Sequence, residues 1–224
     1  MVSKLLKMSS EVAMASGEMA FSSPDTLTGP VALERGLVEQ CRQGDAEAFA
    51  RLVSLHEGMV FGLATRLLGD PEEARDISQD VFLQVYRMLA RFEGRSSLRT
   101  WIYRIVVNQC RNRQRWWRRR RRDRSFGLDD LTPSDEAKLL AQEGTEDGPY
   151  ERLARFEKAG QVQHALQRLS FDHRAILLLR EVEELSCEEI GRTLGLPEGT
   201  VKSRLSRARE ALRRELLDGE GATP

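Results

Sequence analysis

Residues 185–209, LSCEEIGRTLGLPEGTVKSRLSRAR, decide the fold. Ser186 and Glu189 form the pattern S-x-x-E, a capping box that starts a helix. Gly195 marks its end, because a left-handed C-terminal residue is unstrained when it has no Cβ. Pro197 opens a second helix at the position where its missing N–H costs nothing. In that helix Val201, Leu205, Ala208 and Leu212 recur at steps of four, three and four and form a buried stripe. Lys202, Ser203, Ser206, Arg207, Arg209, Arg213 and Arg214 are left facing solvent. Gly191 is small where two helices must cross closely. The pattern is that of a helix-turn-helix: one face holds the second helix rigid and the other offers donors to a DNA groove. Lys and Arg neutralise phosphates or donate to guanine, and Ser donates or accepts. An ordinary helical hairpin with a wet basic face is the alternative. It does not explain the ordered set of capping box, Gly, Pro and basic helix.

Upstream of this unit, Phe156 to Leu169 and Asp172 to Glu183 read as two further helices, the first with Val162, Leu166 and Leu169 inward. Residues 118–150 lose periodicity and are punctuated by Gly127, Pro133, Gly144, Gly148 and Pro149. A connector of about thirty residues is unusual inside one compact domain and natural between two. Before it, Leu98 to Trp117 reads as a helix. The helix from Pro71, capped by Asp70, carries Ile77, Val81, Val85 and Leu89 as one apolar stripe. Asp45 caps an earlier helix with Phe49, Leu52, Val53 and His56 on one face. The expected fold is all-α: two small helical domains, residues 31–117 and 152–218, joined by a flexible acidic linker over 118–151. Residues 1–30 are expected as a disordered leader and 219–224 as a short tail, with no further domain after Leu217. Met8, Met14 and Met19 are alternative starts within the leader.

The formal net charge is zero, with 35 basic and 35 acidic side chains, but the charges are segregated. Residues 104–124 carry ten Arg against Asp123 alone, residues 129–150 carry seven carboxylates against Lys138, and Arg192 to Arg214 is basic again. Two basic regions around an acidic spacer point to two places that touch a polyanion. Cys41, Cys110 and Cys187 are few and scattered, which argues against a disulfide framework or a zinc site and fits a reducing cytoplasm. No apolar run reaches the roughly 20 residues of a membrane helix, and the N-terminal segment lacks the apolar core of a signal peptide. There is no Gly-rich phosphate loop, metal-spaced cluster or nucleophile motif, and His56, His164 and His173 stand alone. No metal, cofactor or catalytic activity is expected.

The helix from Leu98 has a second cationic feature. Arg104, Asn108, Arg111 and Arg115 recur at steps of four, three and four and line a strip about 60° wide. Trp101, Ile102, Ile105 and Val106 occupy much of the rest, so the helix buries most of its surface. Such a strip suits a phosphate backbone, and an adjacent loop can hold an unstacked base. Trp116 and Trp117 either stack on bases or simply pack, and Trp101 is read as core.

Three stretches together resemble the extracytoplasmic-function sigma factors, the smallest class of the primary sigma superfamily. The first is Asp76-Ile77-Ser78-Gln79-Asp80-Val81-Phe82; the second runs Phe92 to Ser96 and Thr100 to Asn108; the third runs Leu185 to Gly191 and Gly199 to Arg209. The resemblance covers residues 35–217 and implies roles for each stretch. Asp76, Gln79, Asp80, Phe82 and Leu83 would dock on the clamp helices of the largest subunit of core RNA polymerase. Phe92, Arg95 and Ser96, with Arg104, Asn108, Arg111 and Arg115, would capture a flipped base and read the minus-ten element. Base capture costs a few kcal/mol of unstacking, offset by pocket and strip. Thr200, Lys202, Ser203, Arg204, Ser206 and Arg207 would read the minus-thirty-five element in the major groove. The second domain would also dock on the flap tip of the second-largest subunit. The acidic linker would thread toward the RNA exit path. Promoter DNA, core polymerase and an anti-sigma factor are the implied partners. A free-standing helix-turn-helix regulator is the rival reading; it accounts for the second domain and leaves the docking stripe and the Phe92–Asn108 unit without a role.

Overall fold

The computed structural model describes residues 29–123 and 149–220. Most of the expected leader and most of the expected linker lie outside them. The described chain is helical, with no strand among the described residues. Helices α1 (Gly29–Arg42), α2 (Ala46–Leu68), α3 (Pro71–Met88) and α4 (Leu98–Asp123) build the first domain; a short 3₁₀ turn, Leu89–Arg91, follows α3. Helices α5 (Pro149–Arg168), α6 (Phe171–Leu177), α7 (Cys187–Leu194) and α8 (Glu198–Glu220) build the second. Residues Leu178–Val182 continue α6 as a π-turn.

The boundaries follow local chemistry. Asp45 accepts from the backbone N–H groups of Glu47 and Ala48 at 2.9 and 3.1 Å and starts α2. Gly69, at φ 78°, closes it. Asp70 does for α3 what Asp45 does for α2, with Pro71 in the first turn. Three boundaries differ from the sequence-based expectation. Helix α1 begins at Gly29, inside the expected leader. Helix α4 runs six residues past Trp117, through the Arg118–Arg122 run. Arginine is a good helix former and no Gly or Pro intervenes before Gly127. Helix α5 starts at Pro149, at the end of the stretch expected as linker.

In the first domain α2 packs against α3 and α4, and α1 lies on α2. Leu52, Val60, Leu63 and Leu67 meet Ile77, Val81 and Val85 of α3 and Ile102, Val106 and Cys110 of α4 in one apolar core. Burying each such side chain contributes about 1.5–3 kcal/mol. In the second domain α8 is the spine, touched by α5, α6 and α7. The domains also touch each other: α4 against α7, and α2 against α5 and α6.

Candidate polymerase and DNA interfaces

Helix α3 turns one edge to the core and the other to solvent. Asp76, Gln79, Asp80 and Leu83 are exposed, and Leu83 and Tyr86 show 53% and 59% of their surface. Two exposed large apolar side chains one turn apart, edged by carboxylates, form a small exposed apolar patch. A shallow groove lined by Asp80, Leu83, Gln84, Arg87, Met88 and Gln109 adjoins it. Arg113 of α4 reaches Glu73 and stands 3.8 Å from Asp80, bracing this edge of α3 against α4. Phe82 is a correction to the docking set. It is 8% exposed and belongs to the apolar core, because it lies about 100° round the helix from Leu83, toward the Val81 side. Tyr86, three residues after Leu83, shares this exposed face and was not among the residues expected there from the sequence.

Helix α4 is buried on most of its circumference. Leu98, Ile102, Tyr103, Ile105, Val106, Val107 and Cys110 all lie in the core, and burial pushes the Cys110 thiol up to about 12. Arg104, Asn108 and Arg115 are exposed and Arg111 half-buried, so the four residues do share one edge. The loop before α4 turns at Gly94, φ 69°. Phe92 packs tilted on Trp101 with ring centroids 5.2 Å apart, and its carbonyl accepts from Arg42 of α1. Arg95 is exposed and ion-paired with Glu93 at 2.5 Å. Ser97 Oγ accepts from the Thr100 N–H at 3.1 Å, capping α4 and fixing the loop at its root. Trp101 is half-buried rather than core. Trp116 is exposed, with the Arg120 guanidinium 4.4 Å from its ring centroid, whereas Trp117 packs on the core.

The helix-turn-helix is built as its sequence dictates. Ser186 and Glu189 exchange both capping-box bonds, at 2.9 and 3.1 Å, and the backbone bond from Ser186 holds the Glu189 carboxyl below its usual range. Gly195 sits at φ 69°. A Cβ on Gly191 would stand 2.7 Å from the Leu196 carbonyl oxygen, so only glycine lets α7 approach the turn this closely. Val201, Leu205, Ala208 and Leu212 are buried. Lys202, Ser203, Ser206 and Arg207 are exposed, Thr200 and Arg204 partly so. Lys202 pairs with Glu198 at 2.7 Å, which raises its pKa. Arg209 is exposed, as expected, and also binds the buried Glu181 through two nitrogens, at 2.9 and 2.5 Å, tying α8 to the π-turn.

Among the described residues no group of His, Cys, Asp or Glu could hold a metal ion, and no helix is long and apolar enough to cross a membrane. Cys41, Cys110 and Cys187 are free thiols.

The fold and these surfaces define a two-domain helical protein with a helix-turn-helix in one domain and a cationic, mostly buried helix in the other. Comparison with known families matches Sigma-70 region 2 over residues 52–123 and Sigma-70 region 4 over residues 159–212. The ECF RNA polymerase sigma factor SigW of Bacillus subtilis (strain 168) is 32% identical over 183 residues, covering 81% of this chain and 95% of the relative. The RNA polymerase sigma-H factor of Pseudomonas aeruginosa is 36% identical over 185 residues, covering 82% and 93%. The solved structure of CnrH in complex with the cytosolic domain of CnrY aligns with TM-score 0.55 at 25% identity, over 83% of this chain and 97% of that one. The sigma factor RpoE of Bartonella quintana, in complex with the anti-sigma factor NepR, aligns with TM-score 0.59 at 23% identity over 76% and 98%, a likeness of fold. The chain belongs to the extracytoplasmic-function sigma factors, and is therefore a transcription-initiation factor rather than an enzyme.

Proposed function

We propose that three separate surfaces divide the work of this sigma factor. Asp76, Gln79, Asp80, Leu83 and Tyr86 on α3 dock on the clamp helices of the largest polymerase subunit. The loop from Phe92 to Leu98 captures a base of the minus-ten element, with Arg104, Asn108, Arg111 and Arg115 on the strand's phosphates. Thr200, Lys202, Ser203, Arg204, Ser206 and Arg207 enter the major groove of the minus-thirty-five element, and the same domain docks on the flap tip. The functional units are then residues 31–123 and 149–218, with the acidic connector between them directed toward the RNA exit path.

The observation that carries this reading is the edge of α4. A 26-residue helix that buries nearly all its apolar side chains keeps Arg104, Asn108 and Arg115 on one wet line, rooted in a capped loop. That is the arrangement a single strand needs: rigid cations spaced along a backbone and an unstacking site at one end. Melting is thereby coupled to recognition and needs no nucleotide hydrolysis. The protein acts in the cytoplasm. An anti-sigma factor is its regulatory partner; CnrH and RpoE were each solved in complex with another protein, for RpoE an anti-sigma factor.

Run-off transcription from a library of duplex templates, with sigma-free core polymerase, tests the assignment. Transcripts should start a fixed distance downstream of two shared sequence elements. Transcription that depends on only one element would favour the free-standing regulator.

A further inference from the structure

The loop from Phe92 to Leu98 is pinned by different means at its two ends. At its exit, Ser97 Oγ accepts from the Thr100 N–H at 3.1 Å and meets Thr100 Oγ1 at 2.8 Å. The Ser97 carbonyl accepts from the Trp101 N–H at 3.1 Å, and Leu98 and Thr100 are buried. These bonds come from the helix that the loop enters. Between the ends, Glu93, Gly94 and Arg95 are exposed, with Gly94 at φ 69°. At its entry the chain leaves α3 through the turn Leu89–Arg91, which the Phe92 N–H closes on the Leu89 carbonyl at 3.1 Å. The Phe92 carbonyl lies beyond that turn, where no intrahelical donor is left to meet it.

Arg42, the last residue of α1, meets it. Its Nη2 donates to the Phe92 carbonyl and its Nε to the Leu89 carbonyl at 3.5 Å. One rigid, planar fork thus spans the turn from α1, 47 and 50 positions away in sequence. Glu39 Oε2 accepts from Arg42 Nη1 at 3.3 Å and orients the fork. Helix α1 is a fixed base for it, because Val38 and Cys41 are buried in the core of the domain. Among the described residues, no other helix donates a hydrogen bond to the backbone of residues 92–96.

The carbonyl that Arg42 holds belongs to the residue whose ring lines the loop. Phe92 packs on Trp101, so a fixed Phe92 backbone fixes the ring and the direction in which Glu93 to Ser96 depart. A loop that must order itself as it binds loses part of its binding energy to that ordering, and a loop already in place does not. Unstacking a base is itself costly, which makes its capture sensitive to any further cost at the pocket. A cation at this place also complements the C-terminal end of α3. That second contribution is to stability, and it is the same whether or not a base enters the loop.

We infer that Arg42 is a positioning residue for base capture: through the Leu89 and Phe92 carbonyls it sets the entry of the loop, so that the pocket stands formed before a base of the minus-ten element arrives. The role rests on the reading of Phe92 to Leu98 as the base-capturing loop. Arg42 acts through the loop backbone and not as a DNA contact.

The test uses holoenzyme on a duplex promoter recovered from the template library. Each position of the non-template minus-ten strand is replaced in turn by an abasic site, and the position where this costs wild-type protein most marks the captured base. Arg42→Ala is then compared with wild type on the intact promoter and on that abasic promoter, with affinity for core polymerase measured alongside. Run-off transcription from the intact promoter should fall about tenfold, the effect of one charge-assisted hydrogen bond. On the abasic promoter the two proteins should agree within about twofold, since losses that act through one event do not add. Arg42→Lys, a point charge that reaches one carbonyl in place of two, should lose about threefold on the intact promoter and again little on the abasic one. Equal losses of Arg42→Ala on both promoters, or no loss on the intact one, overturn the inference. A matching fall in core affinity overturns it too. If Arg42→Ala fails to fold, Arg42→Lys decides by the same comparison. Wild-type protein indifferent to abasic sites throughout the element would instead sink the base-capture reading, and the inference with it.

Discussion

Helices α4 and α8 are both long and arginine-rich, and they use that composition in opposite ways. Helix α4 is sunk in its domain, with seven core side chains from Leu98 to Cys110 and a narrow exposed edge. Helix α8 rests on Val201, Leu205, Ala208 and Leu212 and leaves a broad polar face to solvent. A sunk helix with a line of cations suits a flexible partner that must come to it, such as a melted strand. A raised helix with a broad polar face suits a rigid duplex whose groove, about 12 Å wide, admits a whole helix. Under the proposed assignment, the number of arginines does not specify the target; the fraction of the helix that is buried does.

The sharpest way to break the contrast is to strip the α4 edge. Arg104→Ala with Asn108→Ala should cut transcription from a duplex promoter about 100-fold at unchanged affinity for core polymerase, taking about 1.4 kcal/mol per contact within the usual range of about 1–3. Equal losses in core binding and transcription would place these residues in docking instead. Arg207→Ala on α8 should cost about tenfold on a duplex promoter and little on a pre-melted template. An equal loss on both templates would erase the distinction between the two helices.

Two smaller effects concern what holds each helix in place. Ser186→Ala removes the capping-box acceptor and should destabilise the second domain by about 1 kcal/mol, read by chemical denaturation. His56, buried on α2, is held neutral: burial and the Arg99 cation push its pKa below the ordinary 6.5. The unfolded chain therefore binds a proton that the folded chain refuses. Stability contributed by neutral His56 is complete above about pH 6.5 and is lost as the pH falls toward the depressed folded value. His56→Gln should flatten the stability–pH curve as the pH falls below about 6.5. An unchanged slope would mean that other groups set the acid sensitivity.

Much of this molecule was legible in the sequence because its signals are local. The caps at Asp45, Asp70 and Ser186, the glycine at 195 and the stripe of α8 each depend on residues within a turn of one another. The α4 edge was legible for the same reason. Phe82 was misplaced because a motif names neighbours in sequence, while the side of a helix is set by angle. The Arg118–Arg122 run read as linker because charge density was taken for irregularity, although arginine sustains a helix well. The joint between domains was illegible. Glu183, Arg174 and Gln167 are residue types that ordinarily face water, and their burial depends on partners up to 107 positions away. No periodicity announces a carboxylate whose counter-charges come from another domain.

The central claim, that α3 brings this sigma factor to polymerase while the other two surfaces read DNA, is tested most directly by fluorescence titration onto sigma-free core polymerase at physiological salt. Wild-type protein should bind tightly and saturably at one to one. Leu83→Asp, on the exposed edge of α3, should weaken binding by about 2 kcal/mol, roughly 30-fold, without unfolding the protein. Wild-type core affinity in a folded Leu83→Asp protein would contradict the account.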